Sequence, residues 1–333
     1  MTTLDYTSSA PSPLTRLLRI REVPTILVLV LICLATTTIQ HNFLSTGNLR
    51  SILMFIPLLL IVAMGEMMVI ITRGVDVSVG SMMGLAGMTV GVLFRDHTID
   101  NVYLGAAVAI LIGGVLGSIN GLLIAVCNIP PIVATLGTMG AFRGLVYVVS
   151  NENQINADQL PPQLDRWSIF GPFGQPYVPW LVIIALLVAL LAFLFLRYTV
   201  TGRNIYAVGG NPDAARLRGV PVRWITFLVY LIAGLCSGLA GILYASRFGT
   251  LNAEQLGSGF ELVVISAVVV GGVSIFGGTG NVVGVLLGSL LLATIYTALT
   301  VLPNVTAGWQ ATTYGLVILL AVIFDDLIGR RFA

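Results

Sequence analysis

Long apolar runs alternate with short polar segments along almost the whole chain. A helix that crosses a bilayer needs about 20 mostly apolar residues, so runs of this kind indicate membrane-spanning helices. Ten runs are candidates, and the third is the shortest. They are residues 25–40, 51–71, 82–94, 102–126, 132–149, 179–196, 225–246, 261–276, 282–299 and 309–324. The pattern predicts an all-α polytopic membrane protein with about ten transmembrane helices.

Composition supports this prediction and excludes several functions. Of the 333 residues, 57% are hydrophobic and 9% are charged, whereas about a quarter are charged in a soluble domain. All sixteen basic residues are arginines. Without lysine the chain has no Walker A loop, no Schiff base and no catalytic lysine, so we expect no ATP hydrolysis by this chain and assign any ATP chemistry to another chain. The net charge of +2 gives no indication of a nucleic-acid partner.

The histidines and cysteines are too scattered to form a metal site. His41 and His97 are isolated in predicted loops, and the three cysteines lie far apart in or beside apolar runs. Structural or catalytic metal sites need several such side chains at short, defined spacings. We therefore expect no metal and no cofactor bound by this chain.

The arginines indicate the orientation, because arginine near short loops concentrates on the cytoplasmic side of a membrane. With ten helices and a cytoplasmic N-terminus, eleven arginines lie inside, four lie outside and Arg143 lies in a span. This distribution predicts that both termini are cytoplasmic. The predicted segments are a cytoplasmic N-terminal segment (1–24), a transmembrane domain (25–324), an extracytoplasmic loop (150–178), a cytoplasmic loop (197–224) and a cytoplasmic tail (325–333).

The cytoplasmic loop 197–224 contains the start and stop signals of a short helix. Asn211 can accept hydrogen bonds from the first free backbone N–H groups, and Pro212 fits the first helical position. Gly219 supplies the left-handed residue that ends a helix. We predict a two-turn helix over residues 212–218 that either docks on a partner or only connects two spans. The residues assigned to this segment are Asn211, Pro212, Asp213, Ala214, Ala215, Arg216, Arg218 and Gly219.

Residues 74–81 follow the second predicted span on the cytoplasmic side. Asp76 and Ser78 offer side-chain oxygens to the backbone N–H groups at the start of the third helix. The segment is either a gate or a tight capped turn between two helices. Arg73 precedes it and is a candidate partner for Asp76, in a pair that would contribute little at an exposed site.

The fifth predicted span opens at Asn128 and Pro130, where proline is tolerated because the first helical N–H groups have no partner. Thr135, Thr138 and several glycines then give this helix little side-chain bulk. Such a helix either packs closely against a neighbour or lines a polar path. Arg143 is costly there unless it is paired or reaches water. The candidates for a translocation path or gate are Asp76, Ser78, Asn128, Pro130, Thr135, Thr138 and Arg143.

Glu66 lies in the second predicted span, about one to two turns from its cytoplasmic end. A carboxylate at membrane depth is a functional candidate, for instance as a proton carrier. The alternatives are a pair with an arginine and a side chain that reaches the membrane surface. A single acidic residue gives thin support for proton coupling, which usually needs a relay.

The glycines at 277, 278 and 280 nearly match a dinucleotide-binding fingerprint, but Val283 occupies its last glycine position. The preceding stretch is also a predicted membrane span. We therefore predict a tight cytoplasmic turn and close helix packing at these glycines.

Four motifs extend the interpretation beyond single residues. They are GVDVSVGS at 74–81, NIPPIVATLGTMGAFRG at 128–144, GRNIYAVGGNPDAARLRGV at 202–220 and GGVSIFGGTGNVVGVLLG at 271–288. In this order they resemble the permease subunits of ribose-, arabinose-, xylose- and rhamnose-type ABC importers. The resemblance covers nearly the whole chain after Asn42. It implies a vitamin-B12-importer-like (type II) permease fold.

The resemblance also implies partners. Two permeases, identical or paralogous, would act with cytoplasmic ABC ATPase subunits that bind ATP and magnesium, and a periplasmic sugar-binding protein would deliver the substrate. The coupling helix of that family corresponds here to residues 211–219.

We therefore expect a permease subunit in the bacterial inner membrane that translocates a monosaccharide or sugar derivative. The alternative is a proton-coupled secondary transporter of a small polar solute that uses Glu66 and Arg143. An intramembrane enzyme would need a nucleophile with a base, or metal ligands at membrane depth, and the sequence shows neither.

Overall fold

The computed structural model describes residues 22–172 and 178–302, and beyond them residues 305–306, 308–309, 312–317 and 319–320. Within this part of the chain, regular structure is helical apart from an antiparallel bridge between Ile155 and Leu251. The helices are α1 (Glu22–Ile39), α2 (Thr46–Ile71), α3 (Val79–Arg95), α4 (Val102–Ala125), α5 (Pro131–Ser150), α6 (Pro162–Ile169), α7 (Trp180–Tyr198), α8 (Val200–Gly210), α9 (Pro212–Leu217), α10 (Val222–Phe248), α11 (Phe260–Val270) and α12 (Val282–Val301).

Six of the described helices are long and apolar enough to cross a membrane, namely α2, α4, α5, α7, α10 and α12. The helices α1, α3 and α11 are apolar but shorter. These elements lie at the first nine predicted spans, and the prediction of an all-helical polytopic membrane protein is confirmed. The tenth predicted helix is described only in part, with residues 312–317 helical. Residues 1–21 and the predicted tail 325–333 lie outside the described residues.

The predicted helix 261–276 is too long by six residues. α11 ends at Val270, and Gly272 then adopts a left-handed backbone conformation with a φ of 83°. Glycine takes this conformation at little cost, and it terminates a helix. The tight turn predicted further on is present, since Gly277 and Gly278 have φ values of 84° and 75°.

A second difference concerns the segment before α9, where the sequence analysis assigns no helix. The structure contains α8 there, and Thr199 is its N-cap. The Thr199 hydroxyl oxygen accepts a hydrogen bond from the backbone N–H of Gly202 at 2.9 Å. The signal for α8 is therefore a capping threonine and not an apolar run.

Helix α10 packs against α2, α3 and α4 through small residues. A Cβ atom on Gly113 of α4 would lie 2.2 Å from the carbonyl oxygen of Gly234 on α10. A Cβ atom on Gly87 of α3 would lie 2.8 Å from the carbonyl oxygen of Gly241. Only glycine allows the helix backbones to approach this closely, which is how helices associate without a hydrophobic driving force in lipid. We call these contacts the glycine seam.

Helices α2 and α5 occupy different depths in the bundle. Every residue of α2 from Leu58 to Ile71 is buried, including Glu66. By contrast, only six of the twenty residues of α5 are buried, and Val148 has 68% of its surface accessible. Helix α5 therefore lies at the periphery, where lipid or another protein covers it.

The extracytoplasmic loop predicted at 150–178 is ordered where the structure describes it. The backbones of Ile155 and Leu251 exchange two hydrogen bonds of 2.9 Å. The hydroxyl of Ser168 in α6 donates to the carbonyl of Ser246 at the end of α10, at 2.8 Å. These bonds tie the loop to the α10–α11 connection. Residues 173–177 lie outside the described part.

Candidate functional site

The N-terminal end of α9 is capped as the sequence predicts. The side-chain oxygen of Asn211 accepts hydrogen bonds from the backbone N–H groups of Asp213 and Ala214, both at 3.0 Å. The helix spans Pro212–Leu217, one residue less than the predicted 212–218. The N-cap satisfies two backbone groups that would otherwise lack a partner within the helix.

The C-terminal end of α9 is closed by Gly219, whose φ is 82°. The N–H of Val220 donates to the carbonyl of Ala215 at 3.0 Å, and the N–H of Gly219 donates to that of Arg216 at 3.0 Å. This is the Schellman arrangement, which satisfies the last helical carbonyls. Arg218 is the C-cap and not the last helical residue that the sequence predicts.

The surface of α9 is mostly exposed. Among its residues, Ala215 is buried at 4% accessibility and anchors the helix on the bundle, whereas Leu217 is 90% exposed. Arg216 and Asp213 form an exposed pair at 3.6 Å. Helix α9 thus presents a leucine among charged side chains on the outside of the bundle.

Arg73 connects the end of α2 to the end of α8, immediately before α9. Its backbone is left-handed, with a φ of 68°. Its Nε donates to the carbonyl of Gly209 at 2.6 Å, and its Nη2 donates to the carbonyl of Gly210. The suggested pair of Arg73 with Asp76 is therefore wrong, because the guanidinium binds two backbone carbonyls at the C-terminal end of α8, where helix dipoles favour a cation.

The two helix ends are also in direct backbone contact. A Cβ atom on Gly209 would lie 1.8 Å from the carbonyl oxygen of Ile71. That same oxygen accepts a hydrogen bond from the N–H of Gly278 at 2.9 Å, and the hydroxyl of Tyr206 donates to the carbonyl of Gly280 at 3.0 Å. The end of α8, the end of α2 and the glycine turn therefore form one junction.

A buried polar cluster lies where residues 74–78 meet α4 and α5. Asp76 Oδ1 accepts hydrogen bonds from the N–H of Ser78 at 2.8 Å and from its hydroxyl at 2.6 Å. The side-chain amide of Asn120 donates to Asp76 Oδ2 at 3.2 Å and to the Ser78 hydroxyl at 2.8 Å. The hydroxyl of Thr138 in turn donates to Asn120 Oδ1 at 2.7 Å. The four side chains are buried, so these bonds replace water for each of them.

Ser78 does not play the capping role that the sequence predicts. It is the N-cap of α3, but its side chain makes no capping bond to that helix. Its hydroxyl is oriented as a donor to Asp76 instead, because a buried carboxylate is a stronger acceptor than a neutral group is. Asp76 does accept from a backbone N–H, that of Ser78 itself.

Glu66 lies at the edge of the polar cluster and is fully buried. Its Oε1 accepts the backbone N–H of Asp76 at 3.0 Å. Its Oε2 and the hydroxyl of Tyr230 have no hydrogen-bond partner among the described residues. Within the same residues Glu66 forms no ion pair with an arginine. Glu66 therefore neither reaches the surface nor has its charge compensated by a described arginine.

The candidate path residues on α5 lie on its inner face. The Thr135 hydroxyl accepts from the N–H of Val77 at 3.4 Å, and its single proton lies between the carbonyl of Pro131 in the same helix at 3.0 Å and that of Val75 at 3.3 Å. Thr138 also points inward, to the polar cluster. The opposite face carries glycines whose hydrogens point into open space, namely Gly137, Gly140 and Gly144. Helix α5 thus binds residues 74–78 on one side and presents a low, backbone-rich surface on the other.

A cavity next to α9 is lined both by candidate path residues and by a residue of the predicted docking helix. The cavity has a volume of about 1050 Å³ and is lined by Asn128 and Pro130 from the α4–α5 connection and by Arg216 of α9. Trp224, near the start of α10, completes this wall. The cavity brings the start of α5 next to α9, a proximity that the sequence does not indicate.

Arg143 makes its hydrogen bonds outside the polar cluster. Its Nη1 donates to the carbonyl of Leu256 at 2.7 Å, in the connection between α10 and α11. The side chain is partly buried. Backbone carbonyls thus provide the partner that an arginine near membrane depth requires.

The sequence analysis missed Asn120 and Tyr230. An amide inside the apolar run 102–126 is a detectable signal, because a polar side chain at membrane depth needs a hydrogen-bonding partner. Tyr230 gives no such signal, since tyrosine is common in apolar helices and its contact with Gly74 is set by packing.

Comparison with known proteins identifies the class of molecule. Residues 48–324 match the family described as branched-chain amino acid transport system / permease component. The chain belongs to this permease family. It is 35% identical over 305 residues to the autoinducer 2 import system permease protein of Escherichia coli O9:H4 (strain HS), covering 92% of this chain and 86% of that protein. It is also 35% identical over 291 residues to the D-allose transport system permease protein of E. coli K12, covering 86% of each.

The ribose import permease protein of E. coli K12 is likewise 35% identical over 308 residues, covering 92% of this chain and 94% of that protein. No solved structure matches the chain. The permease is thus the membrane component of an ABC importer in the bacterial inner membrane and is not itself catalytic, since ATP hydrolysis belongs to a separate ATPase chain. The resemblance found in the sequence is confirmed, and the alternative of a proton-coupled secondary transporter does not apply.

Proposed function

We propose that this permease moves a monosaccharide or a sugar derivative through the membrane. Three relatives with about 35% identity are named for autoinducer 2, D-allose and ribose. D-allose and ribose are monosaccharides, so the class of substrate follows from these names and the individual sugar does not. A periplasmic sugar-binding protein delivers the substrate to the face that carries residues 150–178.

The ATPase docks on α9. The observation that carries this proposal is a six-residue helix that is capped at both ends and still leaves Leu217 90% exposed. A helix this short is marginal in water without tertiary support. A simple connector between two spans would be shorter than residues 197–224 and would not leave a leucine 90% exposed. ATP and magnesium bind to the ATPase, and α9 receives its movement.

The number of spans and the location of the termini follow if α9 lies on the cytoplasmic side. We propose ten spans, a type II permease fold and cytoplasmic termini, with the tenth span around residues 312–317. The arginines at the α9 end of the described helices support this orientation. They are Arg73, Arg197, Arg203, Arg216, Arg218 and Arg223.

A second permease, identical or paralogous, packs near the exposed face of α5. The open glycines on this face leave the helix backbone accessible, and Leu136 beside them is 54% exposed. A substrate path bounded by backbone and small residues leaves room for a sugar between two subunits. Residues 74–78 act as the gate, because they bind to the inner face of the same helix through Thr135.

Affinity purification from the native membrane tests the proposal. We expect an ABC ATPase and a periplasmic binding protein to co-purify with the permease. Calorimetry of that binding protein with ribose, D-allose, autoinducer 2 and leucine then tests the substrate class. Binding of leucine with no binding of the three others would overturn the assignment to sugars, and absence of an ATPase would overturn the docking on α9.

A further inference from the structure

The side chain of Arg73 binds the last carbonyls of α8, just before α9. Among the described residues it is the only side chain that joins these carbonyls to the loop 74–78, which contacts α5. It is one residue before the loop 74–78. Its guanidinium donates to Gly209 and Gly210, and Gly210 is followed directly by the α9 cap Asn211. The side chain of Arg73 therefore contacts the backbone just before α9, and its own backbone leads directly into the loop that carries Asp76 and Ser78.

We propose that Arg73 is a positioning residue that transmits movement of α9 to residues 74–78 and through them to α5. This inference rests on the proposed docking of an ATPase on α9. It adds the route inside the permease, which neither the capped helix nor the relatives specify.

The upstream half of the route is stiff. Gly209 and Ile71 have no room between them for a methyl group, and the N–H of Gly278 donates to the same Ile71 carbonyl oxygen at 2.9 Å. A guanidinium presents its donors in a fixed planar fork, so binding two successive carbonyls fixes the side chain in direction as well as distance. A displacement of the α8 end therefore displaces Arg73.

The downstream half is the backbone of residues 73–77, whose polar groups form hydrogen bonds with α2 and α5. Arg73 has a left-handed backbone, which is uncommon outside glycine and is kept only where the surroundings hold it. Two and four residues further on, the backbones of Val75 and Val77 contact the Thr135 hydroxyl of α5. The N–H of Asp76 binds Glu66. A change in the backbone at Arg73 therefore alters groups that bind α5 directly.

The test uses two reporter positions in the complete permease–ATPase complex in lipid nanodiscs. Cys33, Cys127 and Cys236 are first replaced by alanine. A spin label is then placed at Ala214→Cys on α9 or at Gly140→Cys on the open face of α5, where a side chain meets nothing within 4 Å. Spectra are recorded without nucleotide and with ATP and vanadate.

With Arg73 intact, we expect nucleotide to change both labels. In Arg73→Ala the α9 label should still respond to nucleotide. The nucleotide-induced change in the equilibrium reported by the α5 label should be at least about 5-fold smaller than in the unaltered chain, which is the lower limit of the coupling usual between two sites. Arg73→Lys keeps the charge without the fork and should give an intermediate α5 response. Arg50→Ala removes an exposed arginine from the other end of α2 and should change neither label.

Each outcome of this experiment supports or overturns a specific proposal. Equal responses of the α5 label in Arg73→Ala and the unaltered chain would overturn the role of Arg73 while leaving docking on α9 intact. Absence of any α9 response in the unaltered chain would overturn the docking proposal and this inference with it. If Arg73→Ala does not assemble, Arg73→Lys decides by the same criterion, because a purely structural role would reduce assembly and leave the ratio of the two label responses unchanged.

Discussion

The hydroxyl of Thr138 and the side-chain oxygen of Asn120 form a 2.7 Å hydrogen bond that joins α5 to α4 inside the bundle. The amide nitrogen of the same asparagine donates to Asp76 and to Ser78. One side chain therefore holds two helices and the loop between two others. This explains why an amide lies in an otherwise apolar helix.

Asn120→Leu should destabilise the permease. Leucine has a similar volume but leaves the buried Asp76 and the Thr138 hydroxyl without this partner, at a cost of about 1–3 kcal/mol for each unsatisfied group. The midpoint of thermal unfolding in detergent measures the loss. Asn153→Leu, at an exposed position between α5 and α6, is the matched control and should leave the midpoint nearly unchanged. Equal midpoints for the two variants would contradict the role of Asn120.

Two neighbouring glycines make a second matched pair. Gly209→Ala places a methyl group 1.8 Å from the Ile71 carbonyl oxygen, whereas Gly210→Ala meets nothing within 4 Å. Overpacking of this kind costs about 1–3 kcal/mol. We expect Gly209→Ala to lower the unfolding midpoint and the folded yield, and Gly210→Ala to leave both unchanged or slightly higher. A normal midpoint for Gly209→Ala would show that the α2–α8 junction is loose.

The closure of α9 is tested by the residue at position 219. Gly219→Val opposes the left-handed conformation by roughly 1 kcal/mol or more. Gly219→Asn is the control, because asparagine accepts this conformation more readily than valine does. In the assembled complex, uptake and substrate-stimulated ATP hydrolysis should fall together for valine and be mostly retained for asparagine. Normal uptake with valine would mean that the segment is only a connector.

Leu217 tests the docking surface without altering the helix ends. Leu217→Ser should leave membrane insertion and the unfolding midpoint unchanged, because the side chain is 90% exposed. If it fills a pocket on the ATPase, binding should weaken by about 2 kcal/mol, the scale of an interface hot spot. Titration of purified ATPase onto nanodisc-embedded permease measures this. The same change at Leu44, which is exposed between α1 and α2, should have no effect, and equal affinities for both variants would exclude Leu217 from the interface.

The orientation has its own test. In a cysteine-free background, Asp158→Cys should react with a membrane-impermeant maleimide added to intact cells. Asp213→Cys should react only after the cytoplasmic side is opened. Both positions are exposed in the structure, and the cells express the permease without its ATPase, so a failure to label would report the side of the membrane and not burial. Reversed labelling would refute the orientation inferred from the arginines.

The apolar helices and the capped α9 could be predicted because their signals are local. Hydropathy marks a span, and Asn211 and Gly219 mark helix ends within a few residues. Helix α8 was not predicted because it is neither long nor strongly apolar. The polar cluster was not predicted as a unit because Asp76, Asn120 and Thr138 are far apart in sequence. They meet only when α4 and α5 pack around the loop, and no local pattern encodes that approach.

We expect the glycine seam to hold one part of the permease fixed during transport. Where α10 meets α3 and α4, backbone touches backbone, so there is no layer of side chains that can change rotamer to let these helices slide. Helix α5 has no such contact at its open glycines and is hydrogen-bonded to the interior through the hydroxyls of Thr135 and Thr138 and the guanidinium of Arg143. We therefore expect alternating access in this permease to move α5 against a stationary core. The distance that α5 moves should be set by how far its few hydrogen bonds can exchange partners.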